Sequence, residues 1–172
     1  MIRFLSSILA FFSVTSFLAQ QNSVPKLVVG ITIDQLRGDY LEHFKKNFSE
    51  NGFKRLLDEG VVYNQVSYNF PSLDKASTIA TIYTGTVPFY HGIVNEKKIS
   101  NQNFEEVSSF SDANFMGNFT NEKLSPLPIK VSTITDELKI ASDGKSDVFA
   151  FSPDASQALS SGGHAASGAF WI

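Results

Sequence analysis

Few side chains in this sequence are placed to do chemistry. Asp34 closes the run "KLVVGITID", from Lys26 to Asp34. A carboxylate just past a buried strand is costly to leave unpaired. Open α/β sheets also gather ligand-binding groups at the carboxyl ends of their strands. From spacing alone two roles stay open for Asp34: a ligand for a divalent cation, or the N-cap of the helix that follows. The stretch "SYNFPSLDKASTIATIYTGTVPFYHGI", Ser67 to Ile93, has the form of an approach to an active site, with a strand end, a turn and a helix mouth. Where a nucleophilic hydroxyl would stand, it carries Asp74 and Lys75. His91 and His164 each flank a glycine turn, and His43 falls on the polar face of a predicted helix. No pair of histidines has metal-ligand spacing, so the first two read as turn-stabilising hydrogen bonders and the third as a surface residue. There is no cysteine, hence no thiolate site and no disulfide. Neither a GxGxxG nor a Walker loop occurs. Arg37-Gly38-Asp39 lies inside a predicted helix and carries no adhesion reading.

The elements that must position these groups follow from periodicity and punctuation. "KLVVGITID" is a continuous apolar, β-branched run that suits a strand buried on both faces. Leu36, Tyr40, Leu41, Phe44 and Phe48 recur at helical spacing. A second helix is expected over "SENGFKRLLDEG", capped by Ser49 and stopped by Gly60. "VVYNQVSYNF" reads as a strand, and "DKASTIATIYTG" as a helix stopped by Gly85. Residues 94–128 are rich in Asn and Ser and read as a surface excursion with a short hairpin. "VSTITDELKIAS" is a helix capped by Ser132 or Thr133, with Asp136 and Glu137 in its favourable first turn. "KSDVFAFSP" is a strand, and "DASQALSSGGHAASGAFWI" starts as a helix and turns loop-like at Gly162-Gly163. Strands alternating with helices predict an α/β fold with a largely parallel sheet. The apolar ending at Trp171-Ile172 predicts the first part of a longer domain.

The chain has 172 residues, is 42% hydrophobic and has a net charge of −3. With no basic stripe, a nucleic-acid-binding surface is not expected. Arg3 followed by "FLSSILAFFSVTSFLA" reads as a signal peptide over residues 1–19, cut after Ala19, which leaves 20–172 as the exported part, periplasmic or secreted. The leader is shorter and more Ser-rich than a good membrane span, and no stable span beyond it is expected.

The ordered series "LVVGITIDQLRGDYL", "NGFKRLLDEGVVYNQVSYNFPS", "TIYTGTVPFYHGI", "TITDELKIAS" and "GGHAASGAFWI" resembles the N-terminal part of the alkaline phosphatase superfamily. The branch is the type I phosphodiesterase/nucleotide pyrophosphatase group with its bacterial phosphate-monoesterase relatives. The resemblance implies an alkaline-phosphatase-like three-layer fold with a mostly parallel sheet, incomplete here at the C-terminus. It also implies an exported hydrolase of phosphate esters holding two zinc ions. Asp34 matches the first metal-binding Asp of the family. The other Asp and His ligands fall beyond the residues present. The slot of the family's attacking Thr or Ser falls on Lys75, which has no hydroxyl to offer. A shifted register would offer Ser72, Ser77 or Thr78 in its place. The Lys and Arg that hold phosphate oxygens in monoesterases align with Asp154 and Ser156. The phosphate-contacting Asn falls near Asn95, although the ungapped match is Glu96. Because one carboxylate cannot hold two zinc ions, the chain alone is expected to be inactive, and the departures make a non-catalytic binding or assembly scaffold the alternative to a hydrolase.

Overall fold

The fold was taken from a computed structural model that describes residues 26–68, 70 and 74–172. The leader predicted for residues 1–19 lies outside the described residues, as does Ser72. The chain divides into two units, Met1–Ile31 and Thr32–Ile172. Of the first, residues 26–31 are described and carry neither helix nor strand.

In the second unit the elements run as follows. Helix α1 covers Gly38–His43, a single 3-10 turn covers Lys45–Asn47, and α2 covers Phe53–Glu59. Helix α3 covers Lys75–Thr84 and α4 covers Pro88–His91. The hairpin strands are β1, Lys97–Ile99, and β2, Glu106–Ser108. Then come α5 (Ile134–Ala141), β3 (Phe149–Phe151), α6 (Ala155–Gly162) and β4 (Gly168–Phe170). β1 and β2 pair antiparallel with Lys98 opposite Val107, and β3 and β4 pair parallel with Ala150 opposite Ala169. The β3–α6–β4 crossover is the short parallel unit that the alternation of strand and helix predicted.

Local chemistry explains where the helices start and stop. Asp74 caps α3: its carboxylate accepts from the Ser77 N–H at 2.8 Å, and the Ser77 hydroxyl answers toward the Asp74 backbone. Such a reciprocal pair satisfies two of the orphan donors at a helix start, and a cap of this kind contributes about 1 kcal/mol. At the other end Gly85 takes a left-handed φ of 66°, which a side chain would resist. Thr133, rather than Ser132, caps α5 through the same kind of box with Asp136. α2 is capped by Gly52, not Ser49, whose hydroxyl donates instead to the Asn51 carbonyl; Gly60 closes the helix as expected.

The core joins α3, α6 and the loops between them. Ala76, Ala80, Ile93, Phe110, Ile129 and Leu159 are buried together, with Leu124, Ala169 and Trp171 packed against them. Alanines on the inner face of α3 let it lie close to α6, the most extensive helix packing in the fold.

Three expectations are corrected. Residues 26–34 and 61–68 form no strand, and Leu27, Ile31, Val61 and Tyr63 stand 75–83% exposed. A strand takes its hydrogen bonds from neighbours, and neither segment has a paired neighbour among the described residues. Residues 94–128 do carry the hairpin, but they are not only a surface excursion: Phe110 is completely buried and anchors the segment to the core. The stretch after Gly163 is not all loop, since it returns as β4.

Candidate functional site

The mouth of α3 gathers the groups that the sequence singled out. Lys75 is the first residue of the helix, directly after the Asp74 cap. Its ammonium donates to Asp154 Oδ2 at 3.3 Å and lies 3.8 Å from Asp34 Oδ2. Three segments far apart in sequence thus meet at one amine. Asp34 sits in a turn whose next residue, Gln35, is held at φ 58°, a left-handed conformation that non-glycine residues adopt at some cost. Asp154 is the N-cap residue of α6, yet its side chain makes no cap bond; it accepts from Lys75 and from the Gln157 amide at 3.1 Å. The hydrogen bond that Lys75 donates to Asp154, with the negative charges of Asp154, Asp34 and Glu96, holds the Lys75 pKa above its ordinary value. All three side chains of the ion-pair cluster are close to half exposed.

Asp74 links this mouth to the hairpin. One carboxylate oxygen caps α3 and the other accepts the backbone N–H of Glu96. Glu96, not Asn95, therefore sits beside Asp154, along a cleft of about 580 Å³ that they share with Trp171. Asn95 is exposed and lines a different cleft, of about 600 Å³, with Lys97, Lys98 and Lys130; its carbonyl accepts from the Ser109 hydroxyl at 2.5 Å.

Of the alternative hydroxyls, Ser77 is fully buried and engaged in the capping box. Thr78, one residue deeper in the helix, is half-buried. Of the two-zinc centre that the resemblance implies, the described residues offer the one aligned carboxylate, Asp34. Among the described residues no three His, Cys, Asp or Glu side chains come together to hold a metal ion, and the one aligned carboxylate faces an ammonium. A cation held at that point would meet the positive charge of Lys75 at short range.

The two glycine-turn histidines are structural. His91 is fully buried. Its Nδ1 accepts the Ile93 N–H at 3.2 Å, so the proton sits on Nε2, 3.0 Å from Thr81 Oγ1. Burial lowers its pKa, in keeping with this neutral form. His164 bridges the Asp136 carboxylate at 3.0 Å and the Ile129 carbonyl at 2.9 Å. Asp136 is 4% exposed, and burial acts to raise its pKa. Hydrogen bonds from the Thr133 N–H and hydroxyl, His164 and the Ala165 N–H outweigh that and hold it below its usual value. His43 is exposed. Gly38 and Asp39 of the Arg-Gly-Asp triplet open α1, and Arg37 grips Asp39 at 2.7 Å.

Comparison with known proteins agrees with this fold. The family model for type I phosphodiesterase / nucleotide pyrophosphatase matches residues 28–171. Alkaline phosphatase PhoV of Synechococcus elongatus is 38% identical over 150 residues, 86% of this chain and 27% of PhoV. A protein named calcium-transporting ATPase, from Myroides odoratus, is 34% identical over 98% of this chain and 31% of its own length. Alkaline phosphatase PafA of Elizabethkingia meningoseptica is 34% identical over 86% of this chain and 28% of its own length. The crystal structure of wild-type PafA superposes with a TM-score of 0.79 at 32% identity, covering 88% of this chain and 30% of PafA. The chain thus spans less than a third of the length of the relatives it matches, and its fold is the mixed α/β fold of alkaline phosphatase PafA.

Proposed function

The chain belongs to the type I phosphodiesterase/nucleotide pyrophosphatase family, and from that premise we propose that it is an exported member whose phosphoesterase scaffold serves binding rather than phosphoryl transfer. The observation that carries this reading is Lys75. An ammonium, held by Asp154 and Asp34, stands at the helix mouth where the resemblance calls for an alcohol. An amine has no hydroxyl to become a zinc-stabilised alkoxide, and its charge opposes a metal beside it. Asp154 in the place of a phosphate-holding Lys would repel a phosphate oxygen rather than neutralise it. Export rests on the leader over residues 1–19, with its positive start and apolar core. Among the described residues no helix is long and apolar enough to cross a membrane.

The second reading is the zinc-dependent phosphate-ester hydrolase of the family. Asp34 favours it, because its carboxylate does reach the mouth of α3. In that reading Asp34 holds a metal and Asn95 contacts phosphate. Turnover of p-nitrophenyl phosphate and bis-p-nitrophenyl phosphate by the full-length protein, with zinc supplied, separates the two. The scaffold reading expects rates equal to buffer. Zinc-dependent hydrolysis that persists through purification and disappears with chelator overturns it.

A further inference from the structure

The cleft beside Asp154 has a chemistry of its own. It measures about 580 Å³ and lies between the start of α6 and the β1–β2 hairpin. Glu96, Glu122 and Asp154 line it, with the rings of Trp171 and Phe119 and with Ser156. The cations nearby are already engaged: Lys97, also on the wall, pairs with Glu106 at 2.9 Å, and Lys75 is shared between Asp154 and Asp34. Asp154 is thus answered by Lys75, whereas Glu96 and Glu122 make no ion pair among the described residues. Glu122 fixes the Trp171 ring by accepting from its Nε1 at 2.8 Å, so the indole is oriented rather than free to turn. Ser156 supplies an independent sign. It is 2% exposed, lies in the cleft wall, and its hydroxyl has no hydrogen-bond partner among the described residues. A buried hydroxyl left unmatched is uncommon and costs free energy until something meets it.

Negative charge, an anchored aromatic face and an unmatched hydroxyl in one open cleft specify the complementary ligand. Acidic walls repel phosphate and attract a cation. An aromatic face favours a diffuse cation with an apolar stem over a bare metal ion. We propose that this cleft is a recognition site for an organic cation, a guanidinium or ammonium on an aliphatic stem such as the arginine or lysine side chain of a peptide. The assignment rests on the binding-scaffold reading above and gives it a ligand class. At the positions that the resemblance aligned with phosphate contacts, the cleft would present a reversed charge at Asp154, a lost positive charge at Ser156 and an added negative charge at Glu96.

Trp171 is the sole tryptophan, so its fluorescence reports directly on the cleft. The purified chain is titrated with N-acetyl-arginine amide and, separately, with inorganic phosphate at matched ionic strength. The expected result is a saturable change with the arginine amide and none with phosphate. Glu96→Gln, whose side chain supports no described structural bond, should weaken binding about two- to fivefold, the effect of losing one exposed charge pair. Glu96→Lys should abolish it. Equal binding by wild type and E96K would overturn the assignment, because the cation would then sit elsewhere. No response to the arginine amide would overturn the assignment while leaving the scaffold reading standing. Saturable phosphate binding that competes with the arginine amide would overturn both.

Discussion

Replacing His91 with Phe tests how the helix that carries Lys75 is locked into the fold. The ring of His91 is fully buried and bridges α3, through Thr81, to the chain leaving α4, through the Ile93 N–H. Phe keeps the bulk and loses both bonds. Ile93 is 1% exposed, so its N–H would be left without water or partner. An orphaned buried donor costs about 1–3 kcal/mol, and the lost bond to the Thr81 hydroxyl about another 1 kcal/mol. The expected loss is about 2–4 kcal/mol, a large part of the stability of a small domain. Urea denaturation followed by Trp171 fluorescence measures it, with the slope unchanged. The same bonds set a pH dependence. Burial lowers the His91 pKa from its ordinary value of 6.5, so the folded state prefers the neutral ring. The unfolded chain then binds more protons, and stability is present above pH 6.5 and is lost as pH falls below it. H91F should lack that acid-side loss. A variant within about 0.5 kcal/mol of wild type, inside the range of ordinary surface substitutions, or one with an unchanged decline between pH 7 and 5, would refute the tautomer and the bonds assigned to this ring.

Other substitutions probe the elements around the site. Asp136→Asn removes the charge that holds Thr133, His164 and Ala165, and should cost about 2–4 kcal/mol by thermal or urea unfolding. Because the Asp136 pKa is lowered in the folded state, wild type should lose that stability as pH falls below 3.8 toward the folded value, and D136N should not. Gly163→Ala should destabilise by more than about 1 kcal/mol. Gly163 sits at φ +74°, and an added Cβ would run into the Thr133 hydroxyl and come within 2.7 Å of the Asp136 carboxylate. Phe110→Ala should cost about 3–5 kcal/mol, since the ring is completely buried at the centre of the core, and calorimetry reads the shift in Tm.

Much of the helical frame was legible because its signals are local. Asp74 and Gly85 bound α3, and Thr133 and Asp136 start α5, all within a few residues of the effect. The extended segments were harder. Residues 26–34 and 61–68 have the composition of strands, but a strand is completed by pairing, and pairing partners lie far away in sequence. β4 was hidden for a different reason: Gly162 and Gly163 before it and Gly168 at its start give a loop signal, while its pairing with β3 comes from the fold. Phe110 was obscured by the Asn- and Ser-rich segment around it, where one aromatic anchor does not change the composition. At the site, the sequence marked Asp34, Lys75, Asp154 and Glu96 separately, each as a match or a departure. The meeting of Asp34 and Asp154 at the Lys75 amine spans 79 residues between Lys75 and Asp154 and is a tertiary fact. The cleft they border needed Trp171 and Glu122 as well, and nothing in their local sequence links them.

The central claim is that a lysine ammonium, paired with two carboxylates, stands where this family places its nucleophile. Titration of the Lys75 side chain by NMR, in wild type and in Asp154→Asn, tests it most directly. The account predicts a wild-type midpoint above 10.5 that falls when Asp154 is neutralised, since the bond to Asp154 is the largest cause of the rise. A midpoint below 10.5, unmoved by D154N or depressed further by added zinc, would place Lys75 beside a metal or away from the carboxylates and contradict the account.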